Sequence, residues 1–335
     1  MISKDAKSNN IQLIRFIAAV MVIISHSFYI SGCENRDPVA LLSRGSFDFG
    51  ALAVELLFLI SGFMLAKTLS RAKKTSFLSF LRRRLKRMMP ALGFVVAACI
   101  LAGAFVSELS AADYFRSPQT WKYLLNAFFI PVHNLPGVFE ENIYGQVVNG
   151  ALWTMPLELL CCIAGYLFFA LGLSEKKRAL ITLPFAAAAL LSAELFLPEL
   201  IRTSAEVAVM FYMGMLYYIL WDSIKFSLPL AAAALAGFLL LCALRLPLVG
   251  AFLLEPYFVL YLSFSACQCS SRIASSGNVS YCLYLWGFPV QQLIVRSFGG
   301  GPMSPALNFA LSLPAALVPA ILTHIFIERR AMSLK

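Results

Sequence analysis

Arg15 and His26 stand eleven residues apart within one apolar segment, residues 11–30, from which a lipid bilayer would exclude both. Eleven residues make about three helical turns, or roughly 16 Å, so both side chains fall on nearly the same helix face at different depths. An imidazole can serve as a general base or a nucleophile, and a guanidinium matches the geometry of phosphate groups. Ionisable groups inside a membrane mark a pathway or a reaction site by default. This pair is therefore the first candidate site.

Three glutamates, Glu55, Glu158 and Glu255, also lie inside apolar segments. If successive helices cross the membrane in alternating directions, Glu55 lies at a depth similar to that of His26 on the next helix. A carboxylate beside an imidazole fixes its tautomer and raises its basicity, so we interpret Glu55 as the group that orients His26. For any one glutamate the alternative is a structural polar contact between packed helices, while the set as a whole favours function.

The composition indicates that membrane helices position these residues. Of the 335 residues 60% are hydrophobic and 13% are charged, and the mean hydropathy of +0.79 leaves too little polar surface for a soluble globule. Apolar segments of about 20 residues cross a bilayer as helices, because no water is there to bond with the backbone. We predict an all-α, polytopic membrane helical bundle that forms a single domain over residues 1–335, with no appended soluble domain. The ten predicted transmembrane helices are 11–30, 49–69, 88–107, 149–171, 178–197, 204–221, 226–243, 247–266, 278–297 and 304–327.

Lysine and arginine predict the orientation. Nine of them lie in residues 67–87, from the end of the second predicted span to the start of the third, and Lys176, Lys177, Arg178 and the basic residues of both chain ends fall on the same side of a ten-span topology. The positive-inside rule then places both termini in the cytoplasm. The net charge of +10 is mostly this asymmetry, so it indicates contact with membrane lipid and not with nucleic acid.

The arginine-rich segment before the third span has two open interpretations. Arg82, Arg83, Arg84 and Arg87 serve topology and contact with anionic lipid, or they bind a phosphate-bearing donor that arrives from the cytoplasm. Arg15 has the same two alternatives, since it lies near the cytoplasmic end of its helix and can extend its head group to the interface.

The eight cysteines predict no disulfide framework and no metal centre. Most lie in apolar spans, where cysteine is usually a small hydrophobic residue. Cys267 and Cys269 form a single C-x-C without partner ligands. Outside the spans, the long stretch 108–148 contains the sequence PVHNLPGVF (131–139), which we predict to be an ordered and functional loop.

Six collinear blocks resemble the acyltransferase-3 family of integral membrane acyltransferases. They are NNIQLIRFIAAVMVIISHSF (9–28), VELLFLISGFMLAKTL (54–69), FLRRRLKRMMP (80–90), GALWTMPLELLC (150–161), SYCLYLWGFPV (280–290) and HIFIERR (324–330). The first matches the arginine and histidine spacing of the family. Two positions depart from the pattern: Gly287 stands where a histidine commonly follows the tryptophan, and Arg329 or Arg330 stands where proline is usual near Glu328.

The resemblance implies a bacterial plasma membrane protein that transfers an acyl group, usually acetyl, from cytoplasmic acetyl-CoA to a hydroxyl of an envelope carbohydrate or lipid-linked glycan. It implies that His26 is the catalytic residue and that Arg15 is its essential partner. Gly287 puts a second histidine in the mechanism in doubt, whereas the loss of the proline concerns packing.

Four further residues are candidates for substrate binding. Trp153 and Trp286 stack on a sugar face or belong to the interfacial aromatic belt, and Glu158 lies about one and a half turns beyond Trp153. Tyr284 either packs in the core or donates a hydrogen bond. Ser61-Gly62 is interpreted as a point of close helix approach, in preference to a serine nucleophile.

Two other functions are compatible with the sequence. A secondary transporter would use His26, Glu55 and Glu158 as a proton relay, although no pair of interrupted helices in corresponding halves favours it. A catalytically inactive acyltransferase-like membrane protein is the other.

Overall fold

The computed structural model describes residues 9–43, 45, 47–72, 75–244, 246–265 and 279–333. Within these ranges the chain is helical, with turns and loops between the helices and no β-strand. This confirms the predicted all-α class. Cys267 and Cys269, for which no metal site was predicted, lie outside the described residues, as do Lys73 and Lys74 of the basic segment.

Fifteen α-helices are described. They are α1 Ile11–Ile30, α2 Pro38–Leu42, α3 Phe49–Arg71, α4 Phe77–Val106, α5 Ala111–Arg116, α6 Pro118–Lys122, α7 Thr154–Ala170, α8 Lys176–Phe196, α9 Glu199–Leu220, α10 Leu228–Ala243, α11 Pro247–Leu253, α12 Glu255–Phe264, α13 Val279–Ser297, α14 Pro305–Thr323 and α15 Arg329–Ser333. Short 3₁₀ turns occupy Glu34–Arg36, Tyr123–Phe128, Gly150–Trp153 and Trp221–Ser223, and a π-helical turn occupies His324–Glu328.

Seven of the described helices are long and apolar enough to cross a membrane. The helices α11 and α12 are bent by 41° at their junction and make an eighth if they form one broken span. The 16-residue α10 and the helix α13 coincide with two further predicted spans but do not meet the same requirement of length and hydropathy. The structure therefore confirms a polytopic membrane bundle, while the count of ten stays a prediction.

The helix surfaces carry the side chains that lipid requires. Large apolar residues project outward from the long helices, among them Phe105, which is 91% exposed, and Phe185 and Phe196, at 70% and 78%. In water such a surface would be a liability, whereas in a bilayer it is the matching surface.

The described residues form two compact units. The first consists of the described parts of Met1–Ala18, Leu42–Ser79 and Leu157–Ser275. Its main contact is that of α3 with α9. A β-carbon added at Gly62 would overlap the carbonyl oxygen of Phe211, and one added at Gly214 would overlap that of Leu59. These two glycines allow the backbones to touch, which confirms the predicted close helix approach at Ser61-Gly62.

The second unit consists of the described parts of Ala19–Leu41, Phe80–Pro156 and Ser276–Lys335. In it α13 packs along α14, and the long stretch after α4 is ordered. This stretch contains α5, α6 and a 3₁₀ turn, which the sequence analysis did not predict. Residues 129–149 contain no helix and include the predicted loop 131–139, and they are called the ordered loop below. The Asn126 side chain donates to the carbonyl of Val132 at 2.8 Å and accepts from its N–H at 2.9 Å. Burial raises the pKa of the Tyr114 phenol, which stays protonated and donates to the carbonyl of Ile100 at 2.9 Å.

Candidate active site

His26 lies in the last two turns of α1, in the part of that helix that belongs to the second unit. Its half-buried imidazole meets the ring of Phe288 on α13 edge to face, with centroids 5.0 Å apart and planes at 79°. Phe288 in turn meets Tyr144 of the ordered loop, with centroids 6.0 Å apart. Such ring pairs restrict the orientation of the imidazole, and they place the loop one ring away from it.

A buried amide fixes the backbone of α1 next to His26. The Nε2 group of Gln291 on α13 donates to the carbonyl of Ile23 and to the Ser27 hydroxyl, both at 2.8 Å, and lies 3.0 Å from Oδ1 of Asn308 on α14. Gln291, Ser27 and Asn308 are at most 1% exposed. Because buried polar groups need such partners, this network sets the position and rotation of α1 on both sides of His26.

Gly287, the position that departs from the family pattern, lies against the same helix. A β-carbon added there would come within 2.9 Å of the Ile23 side chain. A histidine at this position would therefore push α13 away from α1, and the glycine follows from the close packing of the two helices. At this position the backbone of Gly287 therefore packs against the Ile23 side chain, and no imidazole is present.

The ordered loop is bound to α13 by two asparagines and a glutamine. Asn142 donates to the Gln292 side chain at 2.9 Å and to its carbonyl at 3.0 Å, and Gln292 donates to the carbonyls of Tyr144 and Val147. Asn149 donates to the carbonyl of Leu285 at 2.9 Å. These groups are 4% exposed or less. The loop is thus a fixed wall next to Phe288, held by bonds to main-chain atoms on both partners.

Tyr284 is buried, and its hydroxyl is engaged within the protein. It lies 2.7 Å from the Thr154 hydroxyl and donates to the carbonyl of Ala151 at 3.0 Å. These contacts attach the 3₁₀ turn Gly150–Trp153 to α13, which is the hydrogen-bonding role considered in the sequence analysis. Direct contact of Tyr284 with substrate stays a prediction.

Trp286 forms one wall of an apolar pocket. Its Nε1 group donates to the Thr323 hydroxyl at 2.9 Å, and its ring meets Phe94 at a centroid distance of 6.4 Å. The pocket is lined by side chains of α4, the ordered loop and α13, such as Ala102, Val148 and Leu293. Its lining suits a hydrocarbon chain better than the hydroxyl-rich face of a sugar.

Trp153 and Glu158 occupy the positions that the sequence predicts, on the 3₁₀ turn and on α7. Both are half-buried. Trp153 belongs to the second unit and Glu158 to the first, and their contact with a substrate stays a prediction.

The arginines lie on two helices. Arg15 is half-buried near the start of α1, and the turn before it is anchored through Asn10, which donates to the carbonyls of Ser263 at 2.8 Å and Leu262 at 3.0 Å. The other four begin the long α4. Arg82 and Arg83 are exposed, whereas Arg84 and Arg87, three residues apart and thus on one face, are partly buried.

Glu55 has a neighbour that the sequence analysis did not assign to it. It lies on α3 in the first unit, 1% exposed, and interacts there with the carboxyl group of Glu255. Glu255, also 1% exposed, begins α12 at the bend that follows α11. Glu55 belongs to the first unit and His26 to the second, and the interaction predicted between them stays a prediction.

The sequence analysis missed Phe288, Gln291 and Gln292. All three follow Trp286 on α13. In this span the sequence analysis considered only the block that contains the tyrosines and the tryptophan. Two adjacent glutamines inside an apolar span were a usable signal, since amides in a membrane helix need partners on other helices.

Taken together, the fold and these contacts define an integral membrane protein with an ordered polar centre around one histidine. The chain belongs to the acyltransferase-3 family, and the match to the family's acyltransferase domain covers residues 8–325.

Two curated proteins are similar to this chain. An O-acetyl transferase of Shigella phage Sf6 is 32% identical over 158 residues, which are 47% of this chain and 44% of the phage protein. The exopolysaccharide production protein ExoZ of Rhizobium meliloti (strain 1021) is 27% identical over 306 residues, 84% of this chain and 90% of that protein. The chain thus spans less than half the length of the phage protein. No solved structure matches.

Proposed function

We propose that this protein is a membrane O-acetyltransferase that moves an acetyl group from acetyl-CoA on the cytoplasmic side to a hydroxyl of an envelope polysaccharide or lipid-linked glycan on the other side. The observation that carries the proposal is the family match over residues 8–325. The name of the phage relative supports acetyl as the transferred group, and the name of the Rhizobium relative supports a polysaccharide as the acceptor.

His26 is the proposed catalytic residue. In direct transfer it takes the proton of the acceptor hydroxyl, and the oxygen attacks the thioester carbonyl carbon. The carbon–sulfur bond then breaks, and the leaving thiolate takes up the proton. In the covalent alternative the imidazole nitrogen attacks the thioester carbonyl carbon, the carbon–sulfur bond breaks, and the leaving thiolate takes up the imidazole proton. The acceptor oxygen then attacks the acyl-imidazole, the carbon–nitrogen bond breaks, and the freed imidazole takes up the proton of the acceptor hydroxyl. The contacts of Phe288 and Gln291 support either route, because Phe288 restricts the imidazole ring and Gln291 fixes the helix backbone that carries it.

Arg15 and the arginines of α4 are the proposed donor-binding residues. Guanidinium groups bind phosphate oxygens in pairs, and the coenzyme carries several phosphates. Arg84 and Arg87 on one face of α4 suit such a contact, with Arg82 and Arg83 adjacent. Glu55 stays in the proposal as the group that orients His26. Trp153, Glu158, Tyr284 and Trp286 stay as candidate contacts of the acceptor, with its lipid part the better match to the apolar pocket beside Trp286.

The test is acyl transfer by the purified protein in proteoliposomes supplied with labelled acetyl-CoA. His26→Ala should abolish both transfer and slow thioester hydrolysis, whereas His133→Ala, a change of an exposed loop histidine, should leave hydrolysis unchanged. Transfer by His26→Ala at the wild-type rate would refute the mechanism. A label that stays on denatured wild-type protein, and is absent from the variant, would identify the covalent route.

Donor binding and sidedness are separate measurements. Arg15→Ala and the triple alanine variant of Arg82, Arg83 and Arg84 should each weaken acetyl-CoA binding by at least about tenfold, given that a charge-assisted contact contributes about 1.5–3 kcal/mol. Arg116→Ala, on the exposed short helix α5, is the control. Equal acetyl-CoA affinity of the wild type and all these variants would show that the arginines serve membrane topology and not donor binding. Acetyl-CoA added to one side of oriented vesicles establishes the side of donor entry.

One observation favours a second candidate, a proton-coupled transporter. The first unit contains a bent helix pair with the buried carboxyls Glu55 and Glu255 at its break, and interrupted helices of this kind hold coupled ions in transporters. A pH gradient that drives solute uptake in vesicles, and that is lost in Glu255→Gln, would establish this function. Uptake is expected to be absent.

A further inference from the structure

Three buried side chains with metal-binding atoms meet in the second unit, away from His26 in sequence. Cys282 lies on α13, and His324 and Glu328 lie on the π-helical turn that continues α14. The Cys282 thiol lies 3.4 Å from Oε2 of Glu328, and Nδ1 of His324 lies 2.7 Å from the same oxygen. One possible ligand atom from each residue lies within 4.8 Å of the others. The exposed fractions are 0%, 2% and 1%.

The cluster has bonding capacity that the protein does not use. Nε2 of His324 and Oε1 of Glu328 are buried and have no hydrogen-bond partner among the described residues. Leaving polar atoms unsatisfied in an apolar interior is costly, so such atoms call for a ligand. A purely structural contact between packed helices needs only the two hydrogen bonds already made and gives no reason for the spare atoms.

The local backbone supports the same conclusion. The N–H of Arg329 donates to the carbonyl of His324, five residues back, which is the π-helical pattern. Single π turns are rare and occur frequently at functional sites. On this turn His324 and Glu328 lie close enough for their side chains to bond, and the same carboxyl oxygen of Glu328 meets the Cys282 thiol.

We propose that Cys282, His324 and Glu328 bind a divalent transition-metal ion, with zinc the best match. Thiolate, imidazole and carboxylate are the three ligand types that zinc uses, and three protein ligands leave a fourth position open. Binding deprotonates the thiol, whose proton goes to solvent. The thiolate and the carboxylate then balance the two charges of the ion, which gives a neutral site inside an apolar bundle. The sequence analysis predicted no metal centre and did not consider these three residues together, because Cys282 and Glu328 stand 46 positions apart in the chain.

The test uses the full chain, purified in detergent, stripped with a chelator and titrated with cobalt(II) and zinc(II). Cobalt should bind with a stoichiometry of one and produce a thiolate-to-metal charge-transfer absorption that zinc abolishes. Cys282→Ser should lose this absorption, and His324→Gln and Glu328→Gln should each weaken binding by at least about 100-fold, the upper end of what loss of a supporting contact costs. Cys161→Ser, a change of a buried free cysteine outside the cluster, should leave the spectrum unchanged.

Two results would overturn the proposal. One is stripped wild-type protein that binds neither metal. The other is a charge-transfer absorption that persists in Cys282→Ser. The wild-type titration decides the matter even if a variant fails to fold. Because every readout is metal binding, the outcome is independent of the acetyltransferase proposal.

Discussion

The imidazole of His26 and the ring of Phe288 form an edge-to-face pair, 5.0 Å between centroids, that joins the first long helix of the chain to α13. The pair belongs to a short series of rings, since Phe288 also meets Tyr144 of the ordered loop. The proposed catalytic residue is therefore oriented by a residue that has no reactive group itself.

Phe288→Leu should lower kcat with little effect on donor binding. Leucine keeps the site apolar but removes the flat edge that orients the imidazole, and small displacements of a reacting group cost up to about 100-fold in rate. We expect a fall of roughly 10- to 100-fold in kcat for acetyl transfer, with KM for acetyl-CoA within about twofold of wild type. Phe105→Leu, on the exposed face of α4, is the matched control. Wild-type kcat in Phe288→Leu would remove Phe288 from the mechanism.

Gln291→Leu should destabilise the protein. The change removes the buried hydrogen bonds of Gln291 to the carbonyl of Ile23 and to the Ser27 hydroxyl, and each such bond contributes about 0.5–1.5 kcal/mol. The cost stays in this range because the Ser27 hydroxyl still donates to the carbonyl of Ile23 at 2.8 Å. Equilibrium unfolding in mixed micelles measures the loss. Gln119→Leu, at an exposed position on α6, should change stability by less than about 0.5 kcal/mol. Equal stability of the two variants would contradict the assigned network.

Gly62→Ala and Gly93→Ala should have opposite effects. At Gly62 the added methyl group overlaps the carbonyl of Phe211, so α3 and α9 must separate, with a cost of about 1–3 kcal/mol or more. At Gly93 on α4 nothing lies within 4 Å, and alanine stabilises a helix interior by about 0.5–1 kcal/mol. Thermal unfolding of the two variants gives the sign directly, and a stabilised Gly62→Ala would be incompatible with the described contact.

Tyr284→Phe separates the two roles of this residue. The observed bonds of its hydroxyl to Thr154 and to the carbonyl of Ala151 predict a loss of about 0.5–1.5 kcal/mol in stability and an unchanged KM for the acceptor. A double-mutant cycle with Thr154→Val should give a coupling energy in the same range. A raised acceptor KM with normal stability would instead favour the substrate contact predicted from the sequence.

Helix positions were predictable where hydropathy alone determines them. The segment 11–30 was predicted with the bounds that α1 has, because polar Asn9 and Asn10 precede it and Ser31-Gly32 ends it. The segment 88–107 was predicted too short, since α4 begins at Phe77. Its first turns carry the arginines, which lower hydropathy without interrupting a helix. The break between α11 and α12 was missed, although Pro256 cannot donate a backbone hydrogen bond there.

The proposed catalytic residue could be selected from the sequence, but the contacts that fix its position could not. Histidine and arginine inside an apolar helix are easily recognised in a sequence, because placing ionisable groups in a membrane costs free energy and is rare. The partners of α1 are set by tertiary packing between distant segments, and no periodicity in the sequence predicts that Gln291 will meet Ile23 or that Glu55 will meet Glu255.

The bond between Gln291 and Ile23 joins positions 268 residues apart. A ribosome that adds about 5–20 residues per second releases α13 roughly 15 to 50 s after α1. During that interval the first helix lacks the partners that α13 supplies to its polar groups. A chain that stops before α13 therefore holds every residue of α1 but none of the contacts that fix the position of His26.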